Sequence, residues 1–154
     1  YLTGERSPNW PDATGALVGL RPGTLANPAV AYRAAVEGVT YSLLAGVKRM
    51  SELGLPSPGA VKVVGGGSKS PLWRQTIADA FGVSVRRPVE GESAALGAAM
   101  QAAAALENVN AGTYVKAHPP AVLDEVETPD ADAVDALREG YALFVEEGRA
   151  LFEK

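Results

Sequence analysis

The sequence predicts an α/β fold in which short strands alternate with helices in layers. Three observations lead there. Short apolar or β-branched runs, GALVGL at 15–20, AVKVV at 60–64 and VSVRR at 83–87, are separated by longer segments whose apolar residues recur at helical spacing. Gly and Pro cluster at the joints between segments, at 21–28, 54–59 and 65–67. At 154 residues, with 47% hydrophobic and 21% charged residues, the chain is long and apolar enough to bury a core. Strands separated by helices imply parallel pairing in part of the sheet.

Residues 1–12, with two prolines and a glycine, read as irregular. The run at 15–20 lies between glycines and fits a buried strand, and residues 21–28 are rich in turn formers. Asn27 followed by Pro28 starts a helix, because Asn can accept from the free N–H groups and Pro tolerates the first helical position. Its predicted apolar stripe is Val30, Ala34, Val39, Leu43, Val47 and Met50; the helix runs to Leu53, and Gly54 ends it. After the loop of Pro56, Pro58 and Gly59, the strand at 60–64 runs into Gly65, Gly66 and Gly67. A helix follows, with Ser70 as cap, Pro71 as first residue, Leu72, Ile77 and Phe81 on its apolar side, and Gly82 as its stop. The strand at 83–87 comes next. Gly91, Glu92 and Ser93 then open an Ala-rich helix to about Leu106, whose Ala94, Ala95, Gly97 and Ala98 suit close packing. Residues 108–129 are expected to be rich in loops, with an edge strand near 121–126. A last helix spans 130–152, with Val134, Leu137, Tyr141, Phe144, Val145 and Leu151 as its buried stripe. All of this is read as one domain: a core over 1–106, the loop-rich 107–129 and the terminal helix over 130–154.

Charge and composition exclude several roles. Fourteen basic against eighteen acidic residues leave a net charge of −4, which gives no broad footprint for nucleic acid or an anionic membrane. Without Cys there is no disulfide, thiol nucleophile or thiolate-bound metal, as in a reducing compartment. One His, His118, excludes a multi-His metal site. No apolar run reaches the ~20 residues needed to span a bilayer. The chain opens on Tyr1 without a basic-then-apolar leader, and is expected to be a piece of a longer protein.

The segment 61–73, VKVVGGGSKSPLW, carries the most chemistry. A strand runs into three glycines and then into a capped helix. Glycines let a ligand approach the backbone closely, and the helix start offers free N–H groups and the positive end of its dipole. The turn also lies at the carboxyl end of a strand, where open α/β sheets bind ligands. Taken alone, the glycines serve equally well as a tight turn. Ser68 and Val63 break the spacing of a P-loop, and Ser70 breaks that of a dinucleotide fingerprint.

Four motifs in order resemble the FGGY family of carbohydrate kinases, in its carboxyl-terminal half and closest to its xylulokinase branch. They are YLTGERSPNWPDATGALVGL at 1–20, AVAYRAAVEGVTYSL at 29–43, VKVVGGGSKSPLWRQTIADAFGVSVRRP at 61–88 and EGESAALGAAMQAAAAL at 90–106. The second motif departs from the family pattern at Val30 and Ala31. The resemblance implies the second ribonuclease-H-like domain of an actin-like ATPase fold, a mixed sheet with flanking helices. It implies ATP and Mg²⁺ as cofactors, a small sugar as substrate and the amino-terminal domain of the same protein as partner. It admits a homodimer and a cytoplasmic location. D-xylulose is the first-choice sugar, ahead of D-ribulose, glycerol and gluconate. A non-catalytic nucleotide-binding or structural module is the reading from another class.

By the same resemblance, Gly65, Gly66, Gly67, Ser68 and Ser70 contact the adenosine and α-phosphate of ATP, Ser70 doubling as a helix cap. No aspartate here matches the family's general base, so the segment has no catalytic residue, no metal ligand, and no expected turnover on its own. The remaining marked residues read as structural: Lys69 in solvent, Glu5 and Arg6 as an exposed ion pair, Trp10 and Trp73 in packing, and Asp79 paired with Arg74 or a cap. Glu37 and Glu92 read as caps or buried hydrogen bonds, His118 as a loop residue, and the acidic run 124–135 as a solvated face leading into the last helix.

Overall fold

The computed structural model describes residues 1–153. The elements, in order, are β1 (Thr3–Glu5), β2 (Trp10–Thr14), α1 (Pro28–Glu52), β3 (Ala60–Lys62), α2 (Pro71–Phe81), β4 (Ser84–Pro88), α3 (Ser93–Leu106), α4 (Ala111–Ala117), β5 (Val122–Glu127) and α5 (Ala131–Phe152). The chain divides into two compact units. One comprises Tyr1–Pro58, Asp79–Gly82 and the chain from Pro129 on; the other comprises Gly59–Ala78 and Val83–Thr128. Among the described residues, no helix is long and apolar enough to cross a membrane.

In the first unit, β1 and β2 form an antiparallel hairpin, where the sequence predicted irregular chain. Gly4 permits it: its φ is +82°, and a Cβ there would collide with the Pro11 carbonyl. The predicted strand at 15–20 does not form. No strand among the described residues pairs with it, and Leu17, Val18 and Leu20 are about half exposed.

Asn27 caps α1 by accepting from the Ala29 N–H at 3.0 Å, as predicted. The buried face, however, is Thr40, Tyr41 and Leu44, while Val30, Val39, Leu43 and Met50 are exposed. Apolar residues lie on more than one side of this helix, and it is Tyr41 that packs on α5, its ring 5.9 Å from that of Tyr141 and 5.6 Å from that of Phe144. Gly140 makes the approach possible, since a Cβ there would meet the Tyr41 hydroxyl. Burial, with the Glu37 carboxylate nearby, pushes the Tyr41 hydroxyl up to about 12. Further along α5, Gly148 admits the Trp10 ring, 3.1 Å from where a Cβ would stand. Trp10 joins Tyr1 and Phe152 in an aromatic cluster with centroids 5.5–6.3 Å apart. Leu151, predicted in the buried stripe, is exposed, and Phe152 makes the contact instead. Asp130 caps α5, accepting from Asp132 N–H at 2.9 Å.

The second unit is built on a three-stranded mixed sheet of order β3-β4-β5. β3 runs parallel to β4, with Val61 opposite Val85; β4 runs antiparallel to β5, with Val85 opposite Glu127. Val85 is fully buried. The predicted β3, α2, β4, α3 and β5 all form. A helix, α4, interrupts the loop expected over 108–129, and Asn110 caps it by accepting from the Gly112 N–H at 2.8 Å.

Candidate functional site

The glycine turn joins β3 to α2. Val63 N–H donates to the Arg86 carbonyl at 2.9 Å, carrying the parallel pairing one residue past β3. Gly65 then takes φ +83° and ψ −172°, a conformation that only glycine adopts without strain. Residues Gly66–Lys69 form a single 3₁₀ turn. Ser70 closes it, donating its N–H to the Gly67 carbonyl at 3.0 Å and accepting from Trp73 N–H through its hydroxyl at 3.3 Å. The cap reading of Ser70 therefore stands on its own geometry.

The five residues singled out in the sequence lie together, yet they differ in what holds them. Gly67 lies against Trp73 so tightly that any Cβ would overlap the indole ring. Ser68 is buried, and both its N–H and its hydroxyl donate to the Gly65 carbonyl, at 3.1 and 2.7 Å. Gly65 is required by its dihedrals. Gly66 is different. Its φ is not in the left-handed region, and a Cβ would meet nothing within 4 Å. Nothing inside the chain asks for glycine at 66, which leaves its backbone bare toward open space.

Behind the turn sits a polar cluster that sequence reasoning missed. The Arg74 guanidinium, on the first turn of α2, is buried. Its Nη1 donates to the Ser68 carbonyl at 2.9 Å and its Nε to Glu127 Oε1 at 2.5 Å. Its Nη2 lies 3.8 Å from Glu125 Oε2, which is also 3.7 Å from Arg87 Nη2. No local signal could have revealed this cluster, since Arg74 and Glu127 are 53 residues apart.

The other marked residues fall as follows. Lys69 is exposed. Glu5 and Arg6 do not form the expected ion pair; the Glu5 carboxylate accepts instead from the backbone N–H groups of Arg6 and Ser7, which are nearer to it in the turn. Asp79 takes the capping role, accepting from Asp130 N–H at 2.9 Å. Glu37 pairs with Arg33 one turn earlier at 2.5 Å. Glu92 stands at the N-cap of α3 but makes no side-chain cap. His118 is exposed at the end of α4, its ring stacked on Tyr114 with centroids 4.3 Å apart. A shallow depression lined by Pro8, Trp10, Asp12, Ala13, Leu151 and Phe152 belongs to the first unit and holds no residue of the turn.

Known proteins resemble this chain in sequence and in fold. The model of the FGGY family of carbohydrate kinases, C-terminal domain, matches residues 1–106. A xylulose kinase of Streptomyces coelicolor is 35% identical over 134 residues, covering 85% of this chain and 27% of that protein. The crystal structure of a xyloylose kinase from Brucella ovis superposes with a TM-score of 0.86 at 28% identity, covering 98% of this chain and 30% of that one. That of a gluconate kinase from Lactobacillus acidophilus gives 0.78 at 27%, again over 98% of this chain and 30% of that one. The chain thus spans under a third of the length of these proteins. Its mixed sheet with flanking helices has the ribonuclease-H-like architecture of the actin-like ATPase fold.

Proposed function

We propose that this chain, which belongs to the FGGY family of carbohydrate kinases and matches its C-terminal domain, supplies the adenosine-binding part of an ATP-dependent sugar kinase. The observation that carries this reading is Gly66. A glycine that neither dihedral nor neighbour demands, on a turn ending a sheet strand, is what a nucleotide lying on the backbone would require.

Bound ATP would supply the phosphoryl group, with Mg²⁺ offsetting the charge of its phosphates. The chain's own part is binding and orientation. Gly65 and Gly66 would present bare backbone to the adenosine and α-phosphate. Ser70 would hold the start of α2, and with it the positive end of the helix dipole, beside them. Gly67 and Ser68 would act from behind, fixing the turn. Among the described residues, no group of three or more His, Asp or Glu gathers as a metal site. The ion's ligands would then be the phosphates and groups outside this chain. So would the general base, which no aspartate here matches.

For the acceptor we propose a ketopentose, D-xylulose before D-ribulose. The support is similarity to xylulose kinases, and the similarity to a gluconate kinase keeps gluconate in the test. Sugar choice rests on side chains that hydrogen-bond each hydroxyl.

The test uses the full-length parent. Gly66→Val should raise the KM for ATP about tenfold or more, a loss of at least ~1.4 kcal/mol, while leaving the KM for sugar within about twofold. An unchanged ATP KM would mean the turn is only a turn. A panel of D-xylulose, D-ribulose, L-ribulose, glycerol and gluconate should give the highest kcat/KM with D-xylulose; another member ahead by about tenfold overturns the sugar and leaves the kinase.

A further inference from the structure

We propose that Arg74 is the positioning residue of the nucleotide turn: a buried guanidinium that transmits the rigidity of the sheet to the backbone at 65–68. This rests on the reading of that turn as the ATP site and says how the site keeps its shape.

The path is short and continuous. Glu127 ends β5 opposite Val85, so the β4–β5 ladder fixes its place. Its Oε1 holds Arg74 Nε at 2.5 Å, and the same guanidinium reaches back with Nη1 to the Ser68 carbonyl at 2.9 Å. Ser68 in turn donates twice to the Gly65 carbonyl, at 3.1 and 2.7 Å. Two residues of the turn are thus tied to a strand through one side chain. The planar guanidinium is suited to this, because it offers donors at fixed angles to two acceptors at once; a lysine ammonium on the same stem would be a point charge.

An ordinary buried ion pair would end at its carboxylate. Here one arm bypasses the pair and ends on a main-chain carbonyl within the proposed site. Sites that bind by backbone approach depend on such support, since a shift well under an ångström changes the contacts made. The arrangement also has little slack. Glu127 Oε2 and Arg87 Nε are buried without a hydrogen-bond partner among the described residues, so the Glu127 carboxylate is held through its bond from Arg74 Nε–H.

Truncating Arg74 alone would strand the Glu127 carboxylate in the interior and confound binding with folding. The experiment therefore removes both charges. The full-length parent carrying Arg74→Met with Glu127→Leu should keep its unfolding midpoint within a few degrees and its KM for sugar within about twofold. Its ATP KM, and its Kd for ATP by calorimetry, should rise about fivefold or more. Saturating ATP should restore most of kcat, a split that a merely structural role would not produce. Gln75→Ala serves as the control. Gln75 also braces α2 on the end of β5, donating to the Thr128 carbonyl at 2.9 Å, but that bond does not reach the turn. ATP affinity in this variant should stay within about twofold. If the double variant does not fold, Arg74→Lys decides: its ATP KM should rise by a similar factor, whereas a wild-type value overturns the proposal. Wild-type ATP affinity in a folded double variant overturns it equally. A Gly66→Val parent that binds ATP normally would remove the site itself, and with it this proposal, whatever Arg74 does.

Discussion

The helix pair α1/α5 and the glycine turn both use glycine to bring an aromatic ring close, but they do so in different surroundings. On α5, Gly140 makes room for the Tyr41 hydroxyl and Gly148 for the Trp10 indole. Each glycine there is explained by a neighbour, and the contacts are ring on ring. In the turn, Gly67 makes room for Trp73 in the same way, and Gly65 answers to its dihedrals. The remaining glycine, Gly66, answers to nothing inside the chain, and the contacts behind it are polar. Asking what a methyl group would touch identifies the packing glycines; Gly38 and Gly46 on α1 leave open space too, so what sets Gly66 apart is its place in a turn that follows a sheet strand.

That distinction can be tested most severely at positions 66 and 67. Gly67→Ala places a methyl inside the Trp73 ring, and should cost at least the 1–3 kcal/mol, roughly, of an overpacked core site, read as a lower urea midpoint at unchanged slope. Gly66→Ala, one residue earlier, should be neutral or stabilise by about 0.4–1 kcal/mol through the unfolded chain. If both cost alike, the two glycines are not different in kind.

On the helix-pair side, pH sharpens the picture. The Tyr41 hydroxyl ionises near 12 in the folded chain against 10.0 in the open one, so its neutral form is favoured by folding. Its contribution is complete below pH 10 and is lost as pH rises from there toward 12. Urea midpoints should therefore fall across that window in the wild type and fall less in Tyr41→Phe; equal slopes in the two proteins would assign the alkaline loss elsewhere. The turn has no such group, and ATP binding by the parent should not follow this titration.

A modest effect, confined to stability, is expected at the cap of α5. Asp130→Ala should lower stability by about 1 kcal/mol, the usual value of an N-cap, and leave ATP binding by the parent alone. A change in ATP KM there would blur the line drawn between the two regions.

Local rules made part of this legible. Capping residues and stops located α1 and α2, an apolar stripe located α5, and β-branched runs located β3 and β4, because these signals lie within the element they mark or a few residues from it. Asn110, the cap of α4, lies within the stretch read as rich in loops. The β1–β2 hairpin was hidden because Pro8 and Pro11 mask it, and because its pairing depends on Gly4 opposite Pro11. The run at 15–20 has the residues of a strand without a partner to pair with among the described residues. On α1 the predicted stripe is not the buried face: apolar residues lie on several sides, and the packing of Tyr41 on Gly140 selects another one. At the candidate site, the turn was visible as three glycines in a row. The separate jobs of those glycines, and the reach of Arg74 to Glu127, are three-dimensional facts with no signature in nearby sequence.

The two tryptophans of the chain fall one in each region. Trp10 stands among Tyr1 and Phe152, and Trp73 packs its six-membered ring against Gly67. Each indole is therefore a built-in optical probe with its own address. Emission from Trp73 originates in van der Waals contact with the turn, while emission from Trp10 originates in the aromatic cluster. Comparing the protein with a Trp10→Phe form separates the two signals, so the state of the turn can be followed in real time without attaching a label.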